Sequence, residues 1–135
     1  ELSPAGEAQA LRLSEDPHLL GVDAIFFSPK RRTQQTVGAL SAKINVPALV
    51  EPDLDQRKSI ESPGEFSRRV LGFIENLPQK YARKTLLLCS HSDWLQTAVL
   101  QLPSDSTDMA IHCFFGCAEY KVLKNEDGLW NVLAP

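Results

Sequence analysis

Thr85-Leu86-Leu87-Leu88-Cys89-Ser90-His91-Ser92-Asp93-Trp94 contains the plainest strand-to-helix junction in the chain. Leu86 to Cys89 is a short, continuous apolar run between a charged stretch (Lys80 to Lys84) and a polar cluster. A run of this kind suits a strand buried on both faces of a parallel sheet. Beyond the cluster, Trp94, Leu95, Ala98, Val99 and Leu102 recur at helical spacing. His91 is therefore expected where a buried strand ends and a helix begins. Open α/β sheets bind ligands at the carboxyl ends of their strands, beside helix N-termini that favour anions. A histidine in that place is a candidate for chemistry on an anionic group.

Upstream, Ser62-Pro63-Gly64-Glu65 is a capping box that opens a helix striped by Phe66, Val70, Phe73, Ile74 and Leu77. Asp53 to Ile60 reads as a surface loop. Pro47 to Val50 reads as an edge strand, because Pro47 and Pro52 bracket it. Asp23-Ala24-Ile25-Phe26-Phe27 is a second buried strand, stopped by Ser28-Pro29. Lys30-Arg31-Arg32-Thr33-Gln34-Gln35-Thr36 follows, and Val37, Ala39, Leu40 and Ile44 continue it as a helix. At the start, Ser3-Pro4 caps a helix from Ala5 to Glu15, with Ala5, Ala8 and Leu11 on its apolar face.

Downstream, Pro103 to Asp108 is a polar loop, and Met109 to Leu123 is strand-like in patches. Asn125-Glu126-Asp127-Gly128 makes a turn from which Leu129 to Leu133 returns as a hairpin. The order α-β-α-β-α-β-α-β-β predicts a single α/β domain over residues 1–135. Its architecture is a three-layer α/β/α fold with a mostly parallel sheet and an antiparallel C-terminal edge hairpin. A doubly wound sheet normally begins with a strand, so one is expected ahead of Leu2, outside these residues.

With 43% hydrophobic residues, the 135-residue chain can bury a real core. Its net charge of -3 argues against a general nucleic-acid-binding surface and leaves room for a local basic site. Cys89, Cys113 and Cys117 fit free thiols in a reducing compartment. Only His112 lies near the last two, so no zinc set is read there. No apolar run approaches a membrane span and no signal peptide opens the sequence. A cytoplasmic monomer with no membrane partner is expected.

Two junctions end on polar clusters, Ser28 to Thr36 and Ser90 to Asp93. Parallel strands would bring both to one sheet edge. Guanidinium offers a planar fork that matches phosphate and stays charged. Imidazole titrates near neutrality and can donate to a phosphate oxygen or handle a proton. On spacing alone, a solvated basic helix start and a structural histidine are the commoner meanings of Lys30-Arg31-Arg32 and of His91. His18 and His112 read as structural or exposed. No G-x-S-x-G elbow makes a nucleophile of Ser90 or Ser92, and Asp93 suits the first turn of its helix.

At these same residues the sequence resembles the histidine phosphatase superfamily, also called phosphoglycerate-mutase-like. Leu2-Ser3-Pro4-Ala5-Gly6-Glu7-Ala8-Gln9-Ala10 is similar to that family's "L-T-x-x-G-x-x-Q-A". Phe27-Ser28-Pro29-Lys30-Arg31-Arg32-Thr33-Gln34-Gln35-Thr36 is similar to its "S-S-P-x-x-R-A-x-Q-T", a register that selects Arg32 over Arg31. Glu61-Ser62-Pro63-Gly64-Glu65-Phe66 with Arg69-Val70 resembles "E-S-x-x-E-F-x-x-R-V", and Leu88-Cys89-Ser90-His91 resembles the strand that delivers the family's second histidine.

The resemblance implies a metal-independent phosphatase with no cofactor. A first histidine, in an Arg-His-Gly motif, attacks the phosphoryl group, and water then releases phosphate from phosphohistidine. Arg32 and His91 are the implied catalytic, phosphate-binding pair. Arg-His-Gly does not occur in these 135 residues, and is expected on the strand ahead of Leu2. If the chain truly begins at Glu1, the alternative is a non-catalytic phosphate-binding or interaction module. The family's "L-x-E" acid falls on Leu54-Asp55-Gln56 with glutamine at the acid position, leaving Asp53, Asp55 and Glu61 open as substitutes. Ser92-Asp93 stands in place of a frequent Gly-Gly. This compact layout is most similar to SixA-type protein phosphohistidine phosphatases, which implies a phosphorylated protein or a small phosphate ester as partner.

Overall fold

The computed structural model describes residues 2–116 and 118–133. Cys117, one of the three expected free thiols, lies outside the described residues. Helices are α1 (Pro4–Ser14), α2 (Arg31–Ile44), α3 (Pro63–Glu75), α4 (Leu77–Lys80) and α5 (Ser92–Gln101). Strands are β1 (Ala24–Phe27), β2 (Ala48–Val50), β3 (Leu86–Cys89), β4 (Leu123–Glu126) and β5 (Leu129–Val132). Two compact units divide them: residues 1–55 with 83–91, and residues 56–82 with 92–135. The α/β class is borne out, with a parallel sheet and an antiparallel hairpin near the C-terminus.

The first unit holds the parallel sheet, in the order β2-β1-β3. Ile25 to Phe27 pair with Ala48 to Val50 on one side, and Ala24 to Phe27 pair with Leu86 to Cys89 on the other. The central strand is the buried one: Ile25, Phe26 and Phe27 all lie in the core. Leu86 to Cys89 was expected to be buried on both faces, and here the structure differs. All four residues of β3 are half-buried, because among the described residues β3 has a strand partner on one side only. The β2 edge is as expected, with Leu49 and Val50 exposed.

Around this sheet, Ser3 Oγ accepts from Gly6 N–H and caps α1, as its sequence predicts. The apolar face does not fall where periodicity placed it. Leu11 is 56% exposed, whereas Ala10 and Ser14 are buried. Helix α1 packs on α2, and small residues one turn apart permit the close approach. Helix α2 buries Thr33, Val37 and Leu40 and ends on Asn45, whose left-handed φ of 56° forms its C-cap. The expected surface loop after β2 is also different. Its first turn, Pro52–Leu54, is a short 3-10 helix that buries Leu54 and leaves Asp55 only 8% exposed.

In the second unit, the capping box of α3 is present in both directions, from Ser62 Oγ and from the Glu65 carboxylate. Phe66, Val70 and Ile74 form its buried stripe, and α3 packs on α5. Phe73 meets Trp94 edge-on, with ring centroids 6.1 Å apart. Val99, Met109 and Cys113 make a further core with Phe115, Leu123 and Val132 packed against it. The patchy strand expected over Met109 to Leu123 is instead a 3-10 turn, Met109–His112, with no helix or strand over residues 113–116 and 118–122. Alternation at Tyr120 and Val122 did not suffice, because no strand among the described residues pairs there. Strands β4 and β5 pair with each other around Asp127 and Gly128, both at positive φ. Such a two-residue turn matches the twist of a hairpin.

Candidate functional site

The site is built at the carboxyl ends of the parallel strands, entirely within the first unit. Backbone bonds carry the ladder past the strand ends: Ser28 N–H donates to Cys89 O at 3.1 Å, and Glu51 N–H donates to Phe27 O at 2.8 Å. The residues following β1 and β3 are thereby held side by side. At the other end, Asp23 and Thr85 exchange two bonds, each 2.8 Å, that fix where β3 starts.

His91 leaves β3 with its side chain only 8% exposed. Its Nε2 lies 2.7 Å from Ser28 Oγ, and Arg32 Nη2 lies 3.4 Å from its Nδ1. Ser28 is fully buried and also contacts Thr33 Oγ1 at 3.1 Å. Residues 28 and 91, and 32 and 91, thus meet from well-separated stretches of the chain, as the sequence predicts for two parallel junctions. Helix α2 has no side-chain N-cap from Lys30. Thr33 instead turns its hydroxyl back to the carbonyls of Lys30 and Ser28, at 2.7 and 2.9 Å.

Asp55 is a participant whose place the sequence did not settle. Its Oδ1 lies 3.9 Å from His91 Nε2 and 3.7 Å from Lys30 Nζ. Ser90 Oγ donates to Leu54 O at 2.5 Å and ties the turn before Asp55 to the end of β3. The other two carboxylates considered as acids are placed elsewhere. Asp53 is exposed on the 3-10 turn. Glu61 belongs to the second unit and accepts two bonds from Arg69, both 2.9 Å. Those bonds, above all, hold its carboxyl at about 2, so it is ionised near neutrality. The motif pair Glu61 and Arg69 therefore makes a structural fork, which Gln56 O extends by accepting from Arg69 at 3.1 Å. Asp93 serves its own helix, accepting from Trp94 N–H at 2.7 Å, and also takes Arg57 N–H at 2.9 Å.

Cys89 ends β3, and burial pushes its thiol up to about 11, which leaves it protonated and unreactive. Cys89 and Cys113 are both free, as expected. His18 is exposed and pairs locally with Asp16. Among the described residues, no three His, Cys, Asp or Glu side chains cluster as a metal site. No helix of the described residues is long and apolar enough to cross a membrane. Chemically, the site sets a permanent cation, a titratable imidazole and a carboxylate around one point.

Comparison with known proteins bears on what such a site belongs to. The model of the histidine phosphatase superfamily (branch 1) matches residues 1–59. None of the curated proteins matches the chain. Among solved structures, a phosphoserine phosphatase from Entamoeba histolytica, in complex with 3-phosphoglyceric acid, is similar with a TM-score of 0.82. It is 16% identical, and the match covers 99% of this chain and 83% of that one. The alpha-ribazole phosphatase from Shigella flexneri is similar with a TM-score of 0.80 at 17% identity, over 98% and 82% of the two chains. A mycobacterial glucosyl-3-phosphoglycerate phosphatase is similar with a TM-score of 0.73 at 18% identity, over 98% and 85%. The resemblance to the histidine phosphatase superfamily is borne out.

Proposed function

We propose that this chain, with the fold of the histidine phosphatase superfamily, is the phosphate-clamping body of a metal-independent phosphatase that works through phosphohistidine. One observation carries the reading. Arg32 and His91, 59 residues apart, come within 3.4 Å at the strand ends where this kind of sheet binds ligands. Arg32 holds phosphoryl oxygens with its fork of donors, and His91 meets a further oxygen. The nucleophilic histidine of such a phosphatase, in its Arg-His-Gly motif, is not among these 135 residues. The substrate is a phosphorylated protein or a small phosphate ester, as the compact SixA-like layout suggests.

Asp55, beside His91 and Lys30, handles the proton. It gives one to the departing oxygen and recovers it from the water that cleaves phosphohistidine. Asp55→Asn should slow an alkyl phosphate by about 100-fold. It should slow p-nitrophenyl phosphate far less, because that leaving group needs no proton. Equal losses on both substrates would remove Asp55 from this role.

The deciding experiment uses the complete gene product, a panel of phosphoserine, phosphohistidine peptide and p-nitrophenyl phosphate, and a rapid quench. Turnover with a trapped phosphohistidine is the expected result. Arg32→Ala should then cost ~2–4 kcal/mol of transition-state stabilisation, the scale of one charge-stabilising donor. Gln56 at the family's acid position motivates a second reading, a phosphate-binding module. Phosphate binding lost on His91→Ala, with no turnover of any ester, would select that second reading.

A further inference from the structure

The hydroxyls behind His91 fix where its proton sits. Thr33 Oγ1 lies 2.7 Å from Lys30 O and 2.9 Å from Ser28 O. Carbonyl oxygens only accept, so the single Thr33 proton goes to them. Aimed instead at Ser28, it would leave oxygen lone pairs facing each other at these short distances. With its own proton spent, Thr33 Oγ1 can meet Ser28 Oγ, 3.1 Å away, only by accepting the Ser28 proton, and that bond is the one that leaves no oxygen facing another without a proton between them. Lys30 N–H donates to Ser28 Oγ at 3.2 Å. A hydroxyl has one proton and two lone pairs, so one lone pair remains.

His91 Nε2 lies 2.7 Å from that oxygen. The contact is a hydrogen bond only if Nε2 carries the proton. The far side of the ring agrees. Arg32 Nη2, which can only donate, lies 3.4 Å from Nδ1, so Nδ1 faces it with a lone pair. Ser28 is 0% and Thr33 4% exposed, so water does not replace either hydroxyl as a partner.

We infer that Ser28 and Thr33 are positioning residues that lock neutral His91 in its Nε2–H tautomer and leave Nδ1 as the nitrogen that meets a phosphoryl oxygen. The tautomer rests on the hydrogen-bond geometry alone, and its use on phosphate rests on the function proposed above. One proton then lies between Nδ1 and the phosphoryl oxygen. Phosphate monoanion brings it as O–H, or His91 brings it as imidazolium.

The test is nitrogen NMR on the full chain labelled with 15N-histidine, with His91 assigned from the signals lost in His91→Gln. Above the His91 titration, Nε2 should give a protonated-type signal and Nδ1 a bare, pyridine-type one. Thr33→Val keeps the shape and frees the Ser28 proton to donate toward Nε2. The two His91 signals should then move toward each other as the tautomers mix, and Ser28→Ala should have the same effect. A protonated Nδ1 in the unsubstituted chain, or averaged signals there, would overturn the inference whatever the variants do. So would unchanged signals in folded Thr33→Val and Ser28→Ala. Adding inorganic phosphate should move Nδ1 away from the bare type, part of the way if phosphate brings the proton and fully to the protonated type if His91 does, and a shift confined to Nε2 would overturn the assignment of Nδ1. No response to phosphate at all would count against the proposed function and against the use of Nδ1, with the tautomer standing on the first spectra.

Discussion

At the scale of single residues, two carboxylates that look alike in sequence have opposite surroundings. Asp55 faces a lysine and a histidine at distances of 3.7 and 3.9 Å, whereas Glu61 is gripped by Arg69 through two bonds of 2.9 Å. That grip makes Glu61 a stability device with a defined pH window. Its carboxyl is depressed from an ordinary value of 4.5 to about 2 in the folded chain. The stabilisation is therefore fully present above about 4.5 and is lost as pH falls through about 2. Glu61→Gln should lower stability at neutral pH by about 1.5–3 kcal/mol, the range for hydrogen bonds to charged groups. Urea melts of both proteins at pH 7 and pH 2.5 test this, and the gap should narrow at the lower pH. Nothing in the local sequence distinguishes these roles. Beside the buried Asp55, Leu54 O accepts from the Ser90 hydroxyl, 36 residues away. A polar run such as Asp53 to Ile60 gives no sign of so distant a tether.

At the scale of elements, what was legible is what short-range chemistry determines. Ser62-Pro63-Gly64-Glu65 states its own conformation, because both halves of a capping box lie within four residues. Ser62→Ala should cost about 1 kcal/mol, read as a lowered midpoint of thermal or urea unfolding. The junctions at Ser28 and His91 were legible for the same reason, as an apolar run gives way to a polar cluster. Helix faces and strand burial were less so, since they depend on the neighbour. Helix α1 buries Ala10 and Ser14 in place of the larger Leu11, and among the described residues β3 takes the half-buried edge while β1 takes the centre. Composition alone does not say which of two apolar runs has partners on both sides.

At the scale of the whole molecule, each compact unit is assembled from two separate stretches of chain. The family likeness over residues 1–59 thus stops short of β3 and His91. A fragment of residues 1–59 would hold β1 without the partner that pairs with all four of its residues. It should show no cooperative unfolding transition by circular dichroism, and a sharp one would mean that β1 needs no β3. The bond from Ser28 N–H to Cys89 O has a bearing on any attempt to rebuild the site. It makes the spacing of Arg32 and His91 a property of the main chain, set before any side chain is chosen. Libraries that change the kind of residue at 29–31 and 90–92 keep the scaffold's spacing. Libraries that change the number of residues there shift the register, and no choice of side chains restores it.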